Sequence, residues 1–119
     1  MNIKNALSQL EKSVNEAREN GWKGENSIAI SISTMKYSLK FLEALPRDIP
    51  TPDVSAEPDG EIEFEWYKSK DRIFSVSVSN DSTISCAGRT SNQRKFYRFN
   101  FVSDTLPPTL IKDIRSIYN

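Results

Sequence analysis

Residues 60–66 read Gly60-Glu61-Ile62-Glu63-Phe64-Glu65-Trp66, three large apolar side chains alternating with three glutamates. Successive side chains of a β-strand point to opposite faces, so this segment is a half-buried strand with one apolar and one acidic side. Asp59-Gly60 before it and Lys70-Asp71 after it are turns. The same period continues beyond: Phe74, Val76 and Val78 alternate with Ser75, Ser77 and Ser79, and Asn80-Asp81-Ser82 supplies the next turn. Ile84 and Cys86 carry a short third strand. Arg89 to Arg94 contains no apolar residue and is expected to be a polar loop, after which Tyr97, Phe99 and Phe101 mark a fourth strand. Short loops between consecutive strands predict a four-stranded antiparallel meander over 61–102.

Upstream the period changes. Ile3, Leu7, Leu10, Val14 and Ala17 are spaced 4, 3, 4, 3, which lines one face of a helix over 3–19, and Asn20-Gly21 is its stop. Ile28, Ile32, Met35, Leu39 and Leu42 repeat that spacing, so a second helix capped at Asn26 or Ser27 is expected to run to Pro46. Pro46, Pro50, Pro52 and Pro58 make 46–60 a stiff extended connector, because proline fixes φ and lacks an N–H. Downstream, Pro107-Pro108 opens a last helix with an apolar face of Leu110, Ile111, Ile114 and Ile117. The expectation is therefore one α+β domain over 1–119: a helical hairpin (1–45), a Pro-rich connector (46–60), an antiparallel sheet (61–102) and a C-terminal helix (107–118), with the helices on the aromatic face.

Composition excludes much chemistry. The 119 residues hold 16 Lys+Arg, 16 Asp+Glu, one cysteine and no histidine. Histidine triads, histidine zinc sites and imidazole switches are ruled out. One thiol forms no internal disulfide, and balanced charge gives no bulk attraction to nucleic acid or anionic membrane. Met1 to Asn20 lacks the apolar stretch of a signal peptide, and Ile28 to Ile32 is far too short to span a membrane. A cytoplasmic protein is expected. No GxGxxG, GxxxxGK[ST] or GxSxG occurs.

Acidic residues alone do not make a site here. Glu57, Asp59, Gly60, Glu61 and Glu63 look like part of a calcium loop, but an EF-hand with its glycine at Gly60 needs an acid where Trp66 stands. Glu61, Glu63 and Glu65 recur about 6.6–6.8 Å apart on one strand face, a spacing that overlaps glycosidase carboxylate pairs. On an open face they keep ordinary acidity, so no catalytic role, metal or cofactor is expected of them. Cys86 falls on the inward period as an inert thiol.

The outward set is Glu61, Glu63, Glu65, Ser75, Ser77, Ser79, Ser85, Phe96, Arg98 and Asn100, acidic on the first strand and basic around residues 89–98. Such a wet face either keeps sheets from pairing at their edges or orients a partner electrostatically. Trp22, between two glycines, either folds over the helix ends or stands as an exposed anchor. Arg94-Lys95-Phe96-Tyr97-Arg98 interleaves bases with aromatics, as RNA-binding sheets do, although the acidic strand shares the face.

Pro52-x-Val54, then Asp59-Gly60-x-Ile62-x-Phe64-Glu65-Trp66, then Phe74-Ser75-Val76-Ser77-Val78 resembles a group of small uncharacterised bacterial proteins. The resemblance covers roughly residues 46–80. It implies bacterial origin and an α+β fold, and brings no activity or catalytic residue.

The functional expectation is a non-enzymatic interaction protein: antitoxin-like, immunity-like or an accessory subunit. Its contacts would be Trp22, Glu61, Glu63, Glu65, Phe96 and Arg98, made to a protein partner or to a second copy through a sheet edge or the helix pair. The alternative is a small-molecule binder with a pocket between sheet and helices lined by Trp66, Tyr97 and Phe99. Weak RNA binding along strand four ranks third, and no membrane contact is expected.

Overall fold

The computed structural model describes residues 1–90 and 92–119. Among them are α1 (Ile3–Glu16), α2 (Ile32–Ala44), β1 (Asp53–Ala56), β2 (Ile62–Ser69), β3 (Arg72–Val78), β4 (Thr83–Thr90), β5 (Gln93–Asn100) and α3 (Pro108–Ser116). The strands form one antiparallel sheet in chain order, β1-β2-β3-β4-β5. The α+β architecture with an antiparallel sheet is as expected, but the sheet has five strands and not four.

The additional strand is β1, inside the segment expected to be a connector. Its four residues pair with β2 from Asp53 opposite Glu65 to Ala56 opposite Ile62. Helix α1 satisfies part of its free edge: the Gln9 side chain accepts from the Val54 N–H at 2.9 Å, and the Ser13 hydroxyl donates to the Val54 carbonyl at 3.3 Å. Prolines at 50, 52 and 58 flank a strand that needs no second neighbouring strand, and proline is tolerated at such edges. As a result β2, with its glutamates, is an interior strand and not an edge.

The helices also differ from expectation at their facing ends. Helix α1 stops at Glu16 because the Ala17 carbonyl accepts from the Ile30 N–H at 2.9 Å instead of continuing the helical ladder. Residues 28–30 are held out of the helix by bonds to other segments: Ile28 N–H to the Pro58 carbonyl (2.7 Å), Ala29 N–H to the Asn20 side chain (3.0 Å) and Ile30 N–H to Ala17. Helix α2 therefore begins at Ile32, capped by Ser31, whose side chain accepts from the Thr34 N–H at 3.1 Å. Ile28 and Ile32, expected on the apolar stripe, are exposed; Leu42 is buried as expected, together with Thr34, Ser38 and Phe41 of α2. The Arg89 to Arg94 loop is shorter than expected, since Arg89 and Thr90 belong to β4 and Gln93 and Arg94 to β5; Ser91, within it, lies outside the described residues.

The inward rows are Val54–Phe64–Val76–Cys86–Tyr97, Ala56–Ile62–Val78–Ile84–Phe99 and Trp66–Phe74–Gly88–Lys95. The three helices bury their apolar residues in the same cluster. Phe41 of α2 meets Phe64 at 4.9 Å between ring centroids, and Trp66 meets Phe74 at 6.4 Å. The Trp66 indole N–H donates to the Pro50 carbonyl at 2.8 Å, tying the chain that leads into β1 to the core. Helix α3 is pinned by buried Asp113, which accepts from the Tyr97 hydroxyl at 2.7 Å and from Lys95 Nζ at 2.9 Å. Arg72 donates to the Ser116 carbonyl at 3.3 Å, a cation at the carbonyl end of the helix.

Two substitutions test this core. Truncating the fully buried Phe64 (Phe64→Ala) should cost about 3–5 kcal/mol in urea unfolding, the usual loss for a buried aromatic. Ser38 is also fully buried, and its hydroxyl is without a hydrogen-bond partner among the described residues. Ser38→Ala removes an uncompensated polar atom, so it should leave stability unchanged or raise it by about 1 kcal/mol in the same assay.

Candidate functional site

Because the inward register is set by the aromatics, the outward residues align into rows across the sheet. One row is Asp53–Glu65–Ser75–Ala87–Phe96 and the next is Ser55–Glu63–Ser77–Ser85–Arg98. Toward the other end lies Tyr67–Ile73–Arg89–Arg94. The helices all pack on the opposite side, so this face is the open one. Its middle is floored by small residues, Ser75, Ser77, Ser85 and Ala87, forming a shallow trough of about 500 Å³ with Glu63, Phe96 and Arg98 on its flanks. Phe96 is 76% exposed and Tyr67 54% exposed.

Charge divides the face along β3. Asp53, Glu57, Glu61, Glu63 and Glu65 lie on the β1–β2 half, while Arg89, Arg94 and Arg98 lie on the β4–β5 half. The acids are crowded and partly desolvated. The ordinary acidity expected of the glutamates on an open face does not hold for Glu61 or Glu63: burial, reinforced by Glu57 and Glu65, pushes Glu63 up to about 6. Burial also raises Glu57, against the lowering effect of the Ser77 hydroxyl that donates to it at 2.7 Å. Glu61 is raised by burial and by Asp59 and Glu57, with Arg98 opposing.

Among the described residues, carboxylate oxygens of Glu57, Asp59 and Glu61 lie within 4.8 Å of one another and form a group that could take a cation. Turn geometry accounts for the cluster without one. The Glu57 N–H bonds to the Glu61 carbonyl at 2.8 Å, and Asp59 accepts from the Glu61 N–H at 3.0 Å.

The expected contact residues Glu61, Glu63, Glu65, Phe96 and Arg98 thus share one face, with Glu63 and Arg98 in one row and Glu65 and Phe96 in another. Trp22 is not in these rows. It lies half-buried in the 17–31 segment, where its indole N–H donates to the Ile28 carbonyl at 2.9 Å. The expected pocket residues lie on the helix side: Trp66 fully buried, Tyr97 bonded to Asp113, and Phe99 half-buried beside Ile84. A cavity of about 310 Å³ does open nearby, between the ends of β3–β5 and α3, lined by Phe74, Gly88, Arg89, Lys95, Lys112 and Asp113 among others. Cys86 is buried beneath the sheet, and desolvation pushes its thiol up to about 12. Lys95 turns inward to Asp113, so the basic run of β5 is split between the two faces.

Tyr67, Ile73 and Ala87 belong to the outer face and were not singled out by sequence. Parity was the available signal: Tyr67 continues the odd-numbered series Glu61, Glu63, Glu65, and Ile73 precedes Ser75 and Ser77 in the same phase. Asp53 and Ser55 had no such signal, since their strand is four residues long.

A pH test follows from Glu63. The folded state holds this proton to higher pH than the unfolded chain does, so the contribution favours folding below the ordinary glutamate range and is lost as pH rises through about 6. In dilute solution Glu63→Gln should match the wild type near pH 4. It should exceed it by about 1 kcal/mol at pH 8 in denaturant unfolding, a figure that allows for solvent screening of a half-exposed group.

Among the described residues no helix is long and apolar enough to cross a membrane. Comparison of the chain with protein-family models, with curated proteins and with solved structures gives no match.

Proposed function

We propose that this chain is a non-enzymatic interaction protein of the cytoplasm, of the antitoxin-like, immunity-like or accessory-subunit kind, and that its outer sheet face is the docking surface. The observation that carries this reading is Phe96. It is a large aromatic 76% exposed, with Arg94 and Arg98 on its own strand, over a floor of Ser75, Ser85 and Ala87. Aromatics and arginines are enriched in interface cores, and an exposed ring beside small residues leaves room for a partner side chain. The acids opposite would set orientation and suppress wrong partners through charge.

A second reading, small-molecule binding on the helix side, is favoured by the cavity between the sheet and α3. Arg72, Arg89 and Lys112 line it in addition to the ion-paired Lys95 and Asp113, so an anionic metabolite is the class of ligand it would take. The two readings separate in one experiment. Tagged protein recovered from its native cell should retain a stoichiometric protein that Phe96→Ser loses and that Lys12→Ala, on exposed α1 surface, keeps. Retention by both variants would move the interface elsewhere. Recovery of the bait alone, with thermal stabilisation by anionic metabolites, would favour the cavity.

A further inference from the structure

We infer that the outer sheet face docks against a second copy of this chain, forming a face-to-face dimer whose two-fold axis runs along β3. The inference rests on the open face being an interface, and it adds the occupant and the symmetry.

The order of charges singles out this axis. The sheet has five strands with β3 in the middle, acids on the β1–β2 side and arginines on the β4–β5 side. Rotation about an axis along β3, lying in the contact plane, exchanges the two sides and keeps each row at its own height. Glu63 of one copy then lies over Ser85 of the other, next to that copy's Arg98. Glu65 lies over Ala87, with Arg89 and Arg98 in the neighbouring rows. Long acidic side chains thus meet small ones, with opposite charge alongside. Tyr67 falls over Arg89, an arrangement suited to a cation–π contact. On the axis itself, Ile73, Ser75 and Ser77 meet their own equivalents, and two of the three are small enough for close approach. A two-fold axis in the same plane but across the strands would lay acids on acids and arginines on arginines, which costs affinity.

Size and net charge agree. Five strands about 4.8 Å apart and about seven residues long, at about 3.3 Å each, present roughly 550 Å² per copy. Two such faces bury about 1,100 Å², just above the ~1,000 Å² at which specific interfaces begin. A weak, concentration-dependent dimer is the expectation. The chain carries 16 positive and 16 negative groups, so two copies meet without net repulsion. Pairing through the β5 edge lacks this advantage, since Arg94 and Arg98 would face a second basic edge.

The test is a reciprocal charge exchange read by sedimentation equilibrium at low salt. Wild-type mass should rise with concentration toward twice that of the monomer. Glu63→Arg with Glu65→Arg should weaken self-association at least about tenfold, and so should Arg89→Glu with Arg98→Glu, because each variant then opposes like charge to like. Mixed in equal amounts, the two variants should recover the doubled mass, since both halves of the mixed interface are again complementary. Rescue by mixing also shows that neither variant had simply misfolded. A wild type that stays monomeric, a dimer indifferent to both exchanges, or failure of the mixture to recover would each overturn the inference. The outcome is separable from that of the broader reading. A monomer whose co-purifying protein is still lost on Phe96→Ser refutes the self-dimer alone. A dimer that responds to the charge exchanges, with no second protein dependent on Phe96, refutes the heterologous partner alone.

Discussion

Burial of Phe64, Trp66 and Phe74 beneath the helices is the constraint on which the rest of the structure depends. These side chains are almost wholly withdrawn from water, Phe64 against Phe41 and Trp66 against Phe74. A slip of one residue in any strand would turn its apolar set to solvent, so the register is held by several large side chains at once. Everything on the other side of the sheet inherits that register. Glu63 is level with Arg98, and Glu65 with Phe96, because their neighbours in sequence are fixed in the core.

The second organising feature is how exposed backbone is satisfied. Strand β1 is short and flanked by prolines, yet it is held on one side by β2 and on the other by Gln9 and Ser13 of α1. The 17–31 segment is likewise held by bonds to distant carbonyls and side chains, with Ile28, Ala29 and Ile30 each donating outside their own neighbourhood. Backbone groups seek partners wherever they are closest, and here those partners outweigh a helical pattern in the local sequence. Asp113 plays the corresponding part at the other end, where a buried carboxylate joins α3 to β5 through Tyr97 and Lys95.

What results is a sheet with sharply different sides. The helix side is densely apolar. The open side holds small residues along its centre, acids to one side and arginines to the other, with two exposed aromatics. Burial, reinforced by neighbouring acids, leaves the carboxyl groups of Glu57, Glu61 and Glu63 raised, an unfavourable arrangement for their charged forms. Positive charge brought against them would favour their ionised forms.

The alternation in residues 60–79 and the spacing in 3–17 carried most of the fold in the sequence itself: the sheet, its inward aromatics, the first helix and the last were all legible there, because burial on one face imposes a period that composition alone reveals. The glutamates, Phe96 and Arg98 were legible as outward residues for the same reason. Strand β1 was not, since four residues between prolines are too few to show a period and its stability comes from Gln9 and Ser13 far away in the chain. Nor was the start of α2, where Ile28 and Ile32 obey helical spacing while hydrogen bonds to other segments keep 28–30 out of the helix. Along β2 to β5 the period of the sequence determined which side chains face out; only the tertiary structure decided which of them stand together, because a row across a sheet is made by pairing between strands and leaves no trace in the order of residues along one of them.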